Sequence, residues 1–274
     1  MQVIRFTDTR EEVHTGYDFN GRTAAVISGD LFDTPTMTTN RIQVKQLLAP
    51  IQPAAIICIG LNYRQHAEET GLALPQYPVV FMKNPGSVTG SGSDIIIPSC
   101  CAHPPEVDYE AELAVVIGKA AKNVRPDQAL SHVFGYCCAN DVSARRWQKH
   151  AGGNQWVRGK SFDTFCPLGP VLVTREEISS PQDLEIECRL NNQVMQKSST
   201  CDMIFTVSEI IAFLSEGTTL LPGTVILTGT PSGVGFTRTP PVFLKPDDLL
   251  ETRIQGLGTL TNPIKAEAKA ETTT

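Results

Sequence analysis

One stretch, Val107-Asp-Tyr-Glu-Ala-Glu-Leu-Ala-Val-Val-Ile-Gly118, limits what this chain can become. Val107, Tyr109, Ala111, Leu113 and Val115 alternate with the residues between them, which is the period of a β-strand. Successive strand side chains point to opposite faces, so Glu110 and Glu112 share one, about 7 Å apart along the strand. Two carboxylates on one face of an otherwise apolar strand are costly unless positive charge sits between them. A divalent cation that accepts oxygen ligands (Mg²⁺, Mn²⁺ or Ca²⁺) is one solution. A solvated edge strand is the other, and it is the commoner one for an isolated Glu-x-Glu.

The 274 residues suit one large domain or a small one joined to a larger one. A formal net charge of −6 leaves no electrostatic footprint for nucleic acid or for an anionic membrane surface. Small anionic substrates respond to local cations, so they stay open. No uninterrupted apolar run is long enough to span a bilayer. The eight cysteines contain no Cys-x-x-Cys and include two adjacent pairs, which fits neither a zinc pattern nor a disulfide framework. Several sit in apolar runs, where Cys behaves as a small hydrophobe, and together they point to a reducing compartment. The opening residues lack the charged-then-apolar layout of a secretory signal. The expected location is the cytoplasm, or the mitochondrion if a targeting segment is missing from this sequence.

Taken in order, residues 1–53 read as a small β-rich domain, 54–264 as the main domain and 265–274 as a polar, mobile tail. Within the first unit, 3–6 and 24–27 are strand candidates, and Ile42, Lys45, Gln46, Leu47 and Leu48 suggest a short helix ended before Pro50. A buried strand at 54–59 leads into Leu61-Asn-Tyr-Arg-Gln-His-Ala-Glu-Glu-Thr-Gly71, where Asn62 can cap a short helix and Gly71 can end it. His66 and Glu69 are three apart on that helix and therefore neighbours on one face. A carboxylate beside an imidazole raises its basicity and fixes its tautomer, which suits moving a proton or activating a water. On a surface the same pair is an ordinary ion pair.

A strand at 133–139 ends in Asn140-Asp-Val-Ser-Ala-Arg-Arg-Trp-Gln148. Asp141 stands where strand passes into helix, a place for a functional side chain or for a helix cap. Arg145 and Gln148 are three apart on that helix. Lys160 follows a glycine and precedes an apolar segment; a buried lysine needs a partner, and the acids above could supply it. Residues 184–190 alternate as a strand closed by an Asn191-Asn192 turn, and 206–214 form an amphipathic helix capped by Thr206 or Ser208. The strand 224–227 feeds Thr228-Gly-Thr-Pro-Ser-Gly-Val-Gly235, whose hydroxyls and backbone N–H groups suit a carboxylate or phosphate. That loop lacks the lysine of a nucleotide-binding P-loop and does not match the dinucleotide pattern.

Five motifs, GLNYRQHAEETG, VDYEAELAVVIG, GYCCANDVSARRWQ, GKSFDTFCPLGP and LTGTPSGVG, occur in this order and together resemble the fumarylacetoacetate hydrolase family over about residues 54–262. Within it, the chain is similar to the branch of fumarylacetoacetate hydrolase domain-containing 2 proteins and to bacterial diketo-sugar-acid hydrolases. The resemblance implies a mixed α+β, predominantly β fold: a β-roll with a small N-terminal domain, assembled as a homodimer. It implies Glu110, Glu112 and Asp141 as ligands of Mg²⁺ or Mn²⁺, with Ca²⁺ admissible. It implies His66 and Glu69 as a catalytic pair on a lid helix, Lys160 as an active-site lysine, and Arg145, Gln148 and Thr230 as substrate contacts. The implied substrates are small 2-oxo or 2,4-dioxo acids. Hydrolytic C–C cleavage of an acylpyruvate, through an enolate stabilised by the metal, is the expected reaction. Keto–enol tautomerisation or decarboxylation of oxaloacetate shares that enolate and is the alternative. A non-catalytic binding protein on the same fold is a second alternative. One position departs: relatives commonly carry Ala-Arg-Asp where this chain has Ala144-Arg145-Arg146, so a base replaces an acid beside the site.

Overall fold

The computed structural model describes residues 1–150 and 153–268. Its first strands are β1 (Gln2–Thr7), β2 (Val13–Tyr17), β3 (Thr23–Ser28), β4 (Thr36–Gln43) and β5 (Gln46–Leu48). The helix expected from Ile42 to Leu48 is not formed. Leu47 lies opposite Phe6 in the β1–β5 pair, and Ile42 and Leu47 pack on the cluster of Ile4, Phe6 and Ala24. The available cross-strand partners outweigh a short, weakly periodic helix.

Next come β6 (Ala55–Gly60), α1 (Arg64–Thr70), β7 (Val79–Lys83), β8 (Val88–Thr89), β9 (Ile95–Ile97) and α2 (Ser99–Ala102). The acidic stretch is not one strand. It divides into β10 (Val107–Asp108) and β11 (Ala111–Ile117). Beyond it lie α3 (Pro126–Ala129), β12 (Val133–Asn140), β13 (Ser143–Ala144), α4 (Arg145–Lys149), α5 (Trp156–Lys160) and β14 (Cys166–Thr174). The chain closes with β15 (Glu185–Leu190), β16 (Gln193–Ser199), α6 (Val207–Ser215), β17 (Thr224–Leu227), β18 (Leu249–Ile254) and β19 (Gly258–Ala266). Lys265 and Ala266, expected in the tail, therefore end a strand, with Ala266 paired to Ile97; residues 269–274 lie outside the described residues.

A long sheet runs β4-β3-β2-β1-β14-β12-β11-β17-β6-β7, so the strands of residues 1–53 extend the same sheet as the strands after them. A second sheet, β16-β15-β18-β19-β9, packs on one of its faces. Strand alternation sorts side chains between two cores. Leu113, Val115, Tyr136 and Cys138 join Ile186, Leu250 and Leu260 between the sheets. Ala114, Val116, Cys137 and Ala139 face the other way. That second cluster also contains Ile27 from β3 and Phe81 from β7, strands far apart in the order, so the long sheet is rolled around it. The fold is the predominantly β roll that the sequence implied. With both faces covered, every residue of β11 is buried.

Local chemistry holds the remaining pieces. Asn191 and Asn192 both have positive φ (52° and 65°), as a tight hairpin turn requires. Thr206 caps α6 and forms a reciprocal capping box with Glu209. Asn62 does not cap α1: Tyr63 holds that position. The Asn62 side chain instead donates to the carbonyls of Phe205 (3.1 Å) and Thr228 (2.7 Å), and so ties three segments together behind the site. All eight cysteines are free thiols. No described helix is long and apolar enough to cross a membrane.

Gly135 on β12 lets β14 approach closely. A Cβ there would run into the backbone carbonyl of Val173, which cannot move without breaking the ladder. Gly135→Ala is expected to lower unfolding free energy by about 2 kcal/mol, in the range of overpacked cores, as measured by urea denaturation.

Candidate active site

The antiparallel register of β11 and β12 builds the floor of the site. Ala111 pairs with Asn140 and Glu112 with Ala139. The residue after β12, Asp141, is thereby brought beside Glu110, and its N–H donates to the Glu110 carbonyl (2.8 Å). Asn140 accepts from the Glu110 N–H through its side-chain oxygen (3.0 Å), which fixes the break between β10 and β11. The side chains of Glu110, Glu112 and Asp141 place oxygens within 4.8 Å of one another, all three buried. Three hard carboxylate oxygens so arranged fit Mg²⁺, Mn²⁺ or Ca²⁺.

Buried carboxylates at this spacing need compensating charge. Lys160, at the end of α5 and 1% exposed, donates to Glu110 Oε2 (2.8 Å), Asp141 Oδ2 (2.5 Å) and Ser143 Oγ (2.9 Å). Lys83, at the end of β7, reaches Asp141 Oδ1 from the other side (2.5 Å). Arg145 on α4 donates to Asp108 Oδ2 (2.8 Å), to Glu110 Oε1 (2.6 Å) and to Gln148 Oε1 (2.9 Å). Burial alone would raise the Glu110 carboxyl, but Lys160 and Arg145 outweigh it and hold Glu110 well below the usual carboxylate range. Burial alone would lower Lys160, but Asp141 and Glu110 outweigh it and keep the ammonium firmly protonated.

Three cations thus face Asp108, Glu110 and Asp141, and Glu112 is left as the fourth acid. Its carboxylate accepts from the Gly229 N–H (2.7 Å). Burial, with Asp141 and Glu110 alongside, pushes Glu112 well above the usual carboxylate range.

Helix α1 covers this floor. His66 Nδ1 lies 2.9 Å from Glu69 Oε2, as the three-residue spacing predicts. The other Glu69 oxygen accepts from the Gly233 N–H (2.9 Å) and the Thr237 hydroxyl (2.9 Å), which latches the helix to the 228–237 loop. Burial alone would raise Glu69, but His66 and these two donors hold it below its ordinary value. Several of the loop's N–H groups serve the protein's own carboxylates rather than a substrate anion. Gly229 serves Glu112, Gly233 serves Glu69, and Gly235 and Phe236 serve Asp108. Close packing makes the protein's own acids the nearest acceptors. Thr230 does face the cavity, and its hydroxyl accepts from the Gln196 side-chain amide (2.8 Å).

A cavity of about 420 Å³ opens above the floor. It is lined by His66, Glu69, Lys160, Arg145, Gln148 and Thr230, together with Glu110 and Glu112. Asp141, fully buried, lies beneath it. The sequence reading missed Lys83, Asp108 and Lys149. Lys83 closes an apolar strand and Lys149 follows Gln148 with nothing local to mark it, whereas Asp108, two residues before Glu110, carried the same strand-alternation signal as Glu110 and Glu112. Arg146, the departure from the family pattern, does not line the cavity. It pairs with Glu106 (3.1 Å), donates to the Cys100 carbonyl (2.7 Å) and lies over the Trp147 ring, so it braces the outer side of α4.

A rolled β-sheet carrying a buried acidic triad under a His–Glu helix defines a class of enzymes. Residues 55–265 match the family model described as fumarylacetoacetate hydrolase, C-terminal, and the chain belongs to that family. A mitochondrial oxaloacetate tautomerase of Xenopus laevis is 50% identical over 219 residues, covering 80% of this chain and 68% of its own. A human mitochondrial oxaloacetate tautomerase is 45% identical, covering 79% and 68%. Among solved structures, a 5-carboxymethyl-2-hydroxymuconate delta-isomerase of Mycobacterium smegmatis has a TM-score of 0.84 at 35% identity, covering 97% of this chain and 100% of that one.

The charge pattern gives an asymmetry between the two glutamates. In metal-free protein, Glu110→Gln leaves Lys160 and Arg145 undercompensated and is expected to cost about 3 kcal/mol or more. Glu112→Gln replaces a group already driven toward its neutral form and is expected to cost under about 1 kcal/mol. Urea unfolding in chelator distinguishes the two. Glu69 gives a pH signature. Its folded pKa is depressed, so its contribution is present above the ordinary value of 4.5 and is lost as the pH falls below it. The melting temperature of Glu69→Gln is expected below that of the unsubstituted protein at neutral pH, with the gap closing as the pH drops beneath 4.5.

Proposed function

We propose that this chain is a divalent-metal-dependent enzyme that interconverts the keto and enol forms of oxaloacetate or a closely related small 2-oxo acid. The observation that carries the reading is the buried set Glu110, Glu112 and Asp141 at the floor of the cavity, with Lys160 bonded to two of its members. The relatives named oxaloacetate tautomerase support this reaction over acylpyruvate hydrolysis.

In this reading Glu110, Glu112 and Asp141 hold Mg²⁺ or Mn²⁺, whose charge, when bound, favours the enolate form of a 2-oxo acid over the ketone. Tautomerisation relocates one proton. The C–H bond at C3 breaks, its electron pair becomes the C2–C3 double bond, and the C2 oxygen takes a proton; no water is consumed. His66 is the proposed proton carrier: Glu69 engages Nδ1, which leaves the other ring nitrogen for the cavity that His66 lines. Lys160, whose three N–H bonds go to Glu110, Asp141 and Ser143, is proposed to favour negative charge on the C2 oxygen through its own charge, and as an ammonium it does not suit proton removal. Arg145, Gln148 and Thr230 are the proposed substrate contacts. Arg145 also orders the floor through Asp108 and Glu110.

A second reading, hydrolytic C–C cleavage of an acylpyruvate, draws on the same pair, since an imidazole oriented by a carboxylate can activate water. A homodimer is proposed as well. On β7, the last strand of the long sheet, Val79, Val80 and Met82 are 37–46% exposed, and Leu72, Leu74 and Tyr77 precede them in the chain with more than half of their surface exposed. An exposed apolar edge is what a second copy would cover.

The decisive assay follows enol absorbance of oxaloacetate. Chelation is expected to abolish the catalysed rate and Mg²⁺ or Mn²⁺ to restore it. His66→Ala is expected to lower kcat by about a hundredfold or more. Full activity after chelation sinks the metal-dependent reading. Faster release of pyruvate from an acylpyruvate than tautomerisation of oxaloacetate moves the assignment to hydrolysis.

A further inference from the structure

Helix α4 brings one more cation to the cavity wall than the floor uses. Arg145, Gln148 and Lys149 stand at positions i, i+3 and i+4, share a helix face, and all line the cavity. Arg145 is committed to Asp108 and Glu110, and the Gln148 side-chain oxygen accepts from Arg145. Lys149 is different. Among the described residues, no carboxylate lies within ion-pair distance of it. Its ammonium lies 3.5 Å from the centre of the Phe236 ring, and the guanidinium of Arg145 lies 4.4 Å from the same ring. A cation–π contact therefore parks Lys149 beside the floor, on a wall residue that itself faces the cavity. Burial, and then the charge of Arg145, hold the Lys149 ammonium below its ordinary value. Glu110 and Asp108 offset this only from beyond ion-pair distance, so Lys149 is a half-buried cation with no carboxylate in contact.

The charge inventory says what would supply one. With all four acids ionised, as metal ligation requires of Glu112, the set Asp108, Glu110, Glu112 and Asp141 faces Lys83, Arg145 and Lys160, which leaves one negative charge on the floor. A divalent cation there turns this into one positive charge, enough for one substrate carboxylate. Glu69, the remaining acid on the wall, is engaged by His66, Gly233 and Thr237. Lys149 is then the only unpaired cation among the described cavity residues, and it matches a second carboxylate.

We propose that Lys149 is a specificity-determining residue that receives the distal carboxylate of a 2-oxo dicarboxylate and so discriminates against 2-oxo acids with uncharged tails. The inference rests on the proposed binding of a small 2-oxo acid at the floor and deepens it by naming the residue that selects a second carboxylate. It differs from a packing role in a measurable way: a lysine that only covers Phe236 has no preference among ligands.

The test is calorimetric binding to the Mg²⁺-loaded full chain, with L-malate and L-2-hydroxybutyrate as probes. Both present the same 2-hydroxy carboxylate, and only malate carries the distal charge. The unsubstituted protein is expected to bind malate about tenfold or more tightly than 2-hydroxybutyrate, the ratio expected of one partly desolvated charge pair. Lys149→Met is expected to erase that preference by weakening malate alone, Lys149→Arg to restore most of it, and Lys149→Glu to invert it. An unchanged ratio in Lys149→Met overturns the proposal, as does the absence of a malate preference in the unsubstituted protein. Oxaloacetate tautomerisation is assayed in parallel. If the malate preference tracks Lys149 but oxaloacetate is not turned over, the tautomerase reading falls and the dicarboxylate site stands. If oxaloacetate is turned over with the same KM in Lys149→Met, the reverse holds.

Discussion

The contact on which the rest of the site depends is the Lys160 ammonium between Glu110 and Asp141. Removing four carboxylates from water carries a desolvation cost of several kcal/mol for each ion. The chain meets that cost with Lys160, Lys83 and Arg145, each brought from a different element: α5, β7 and α4. The charges on the floor therefore also hold the architecture together. Strands β7 and β11, the crossing at Asp141 and two short helices converge because their buried charges satisfy one another.

The loop at 228–237 shows the same economy. Its backbone N–H groups hold Glu112 in the floor, Asp108 behind Arg145, and Glu69 on the covering helix. One loop therefore orients an acid of the triad, positions the arginine that neutralises its neighbour, and latches the helix carrying His66. Its glycines are fitted to this work. Gly229 and Gly233 have positive φ, and a Cβ on Gly235 would collide with the Val242 carbonyl.

Much of this was legible in the residues. Apolar runs of strand length located β11, β12 and β17, because a strand covered on both faces is apolar almost throughout. The His66–Glu69 contact followed from helical spacing alone. Family likeness brought Asp141 and Lys160 to the triad, where the structure places them. The misses share a cause. The short run from Ile42 to Leu48 carried no strong period, and pairing with β1 decided its conformation. Asn62 looked like a cap because caps are read from local order, yet its partners lie on segments more than a hundred residues away. Arg146 looked like a change at the site, and its side chain turns outward to Glu106 and the Cys100 carbonyl.

By itself, the sequence determined which residues can carry the chemistry: paired acids on a strand, an imidazole beside a carboxylate, a lysine next to an apolar segment. These are local facts, set by side-chain type and by the 2.0 and 3.6 periods of the backbone. Only the tertiary structure decided how the charges are shared. That Glu112 is the acid without a cation, that the N–H groups of Gly229, Gly233, Gly235 and Phe236 serve the protein's own carboxylates, and that Lys149 has no carboxylate in contact beside Phe236 all depend on side chains drawn from distant parts of the chain. In a buried site, electrostatic energy depends on distances between such groups and on the water excluded around them, and neither is written in the order of residues.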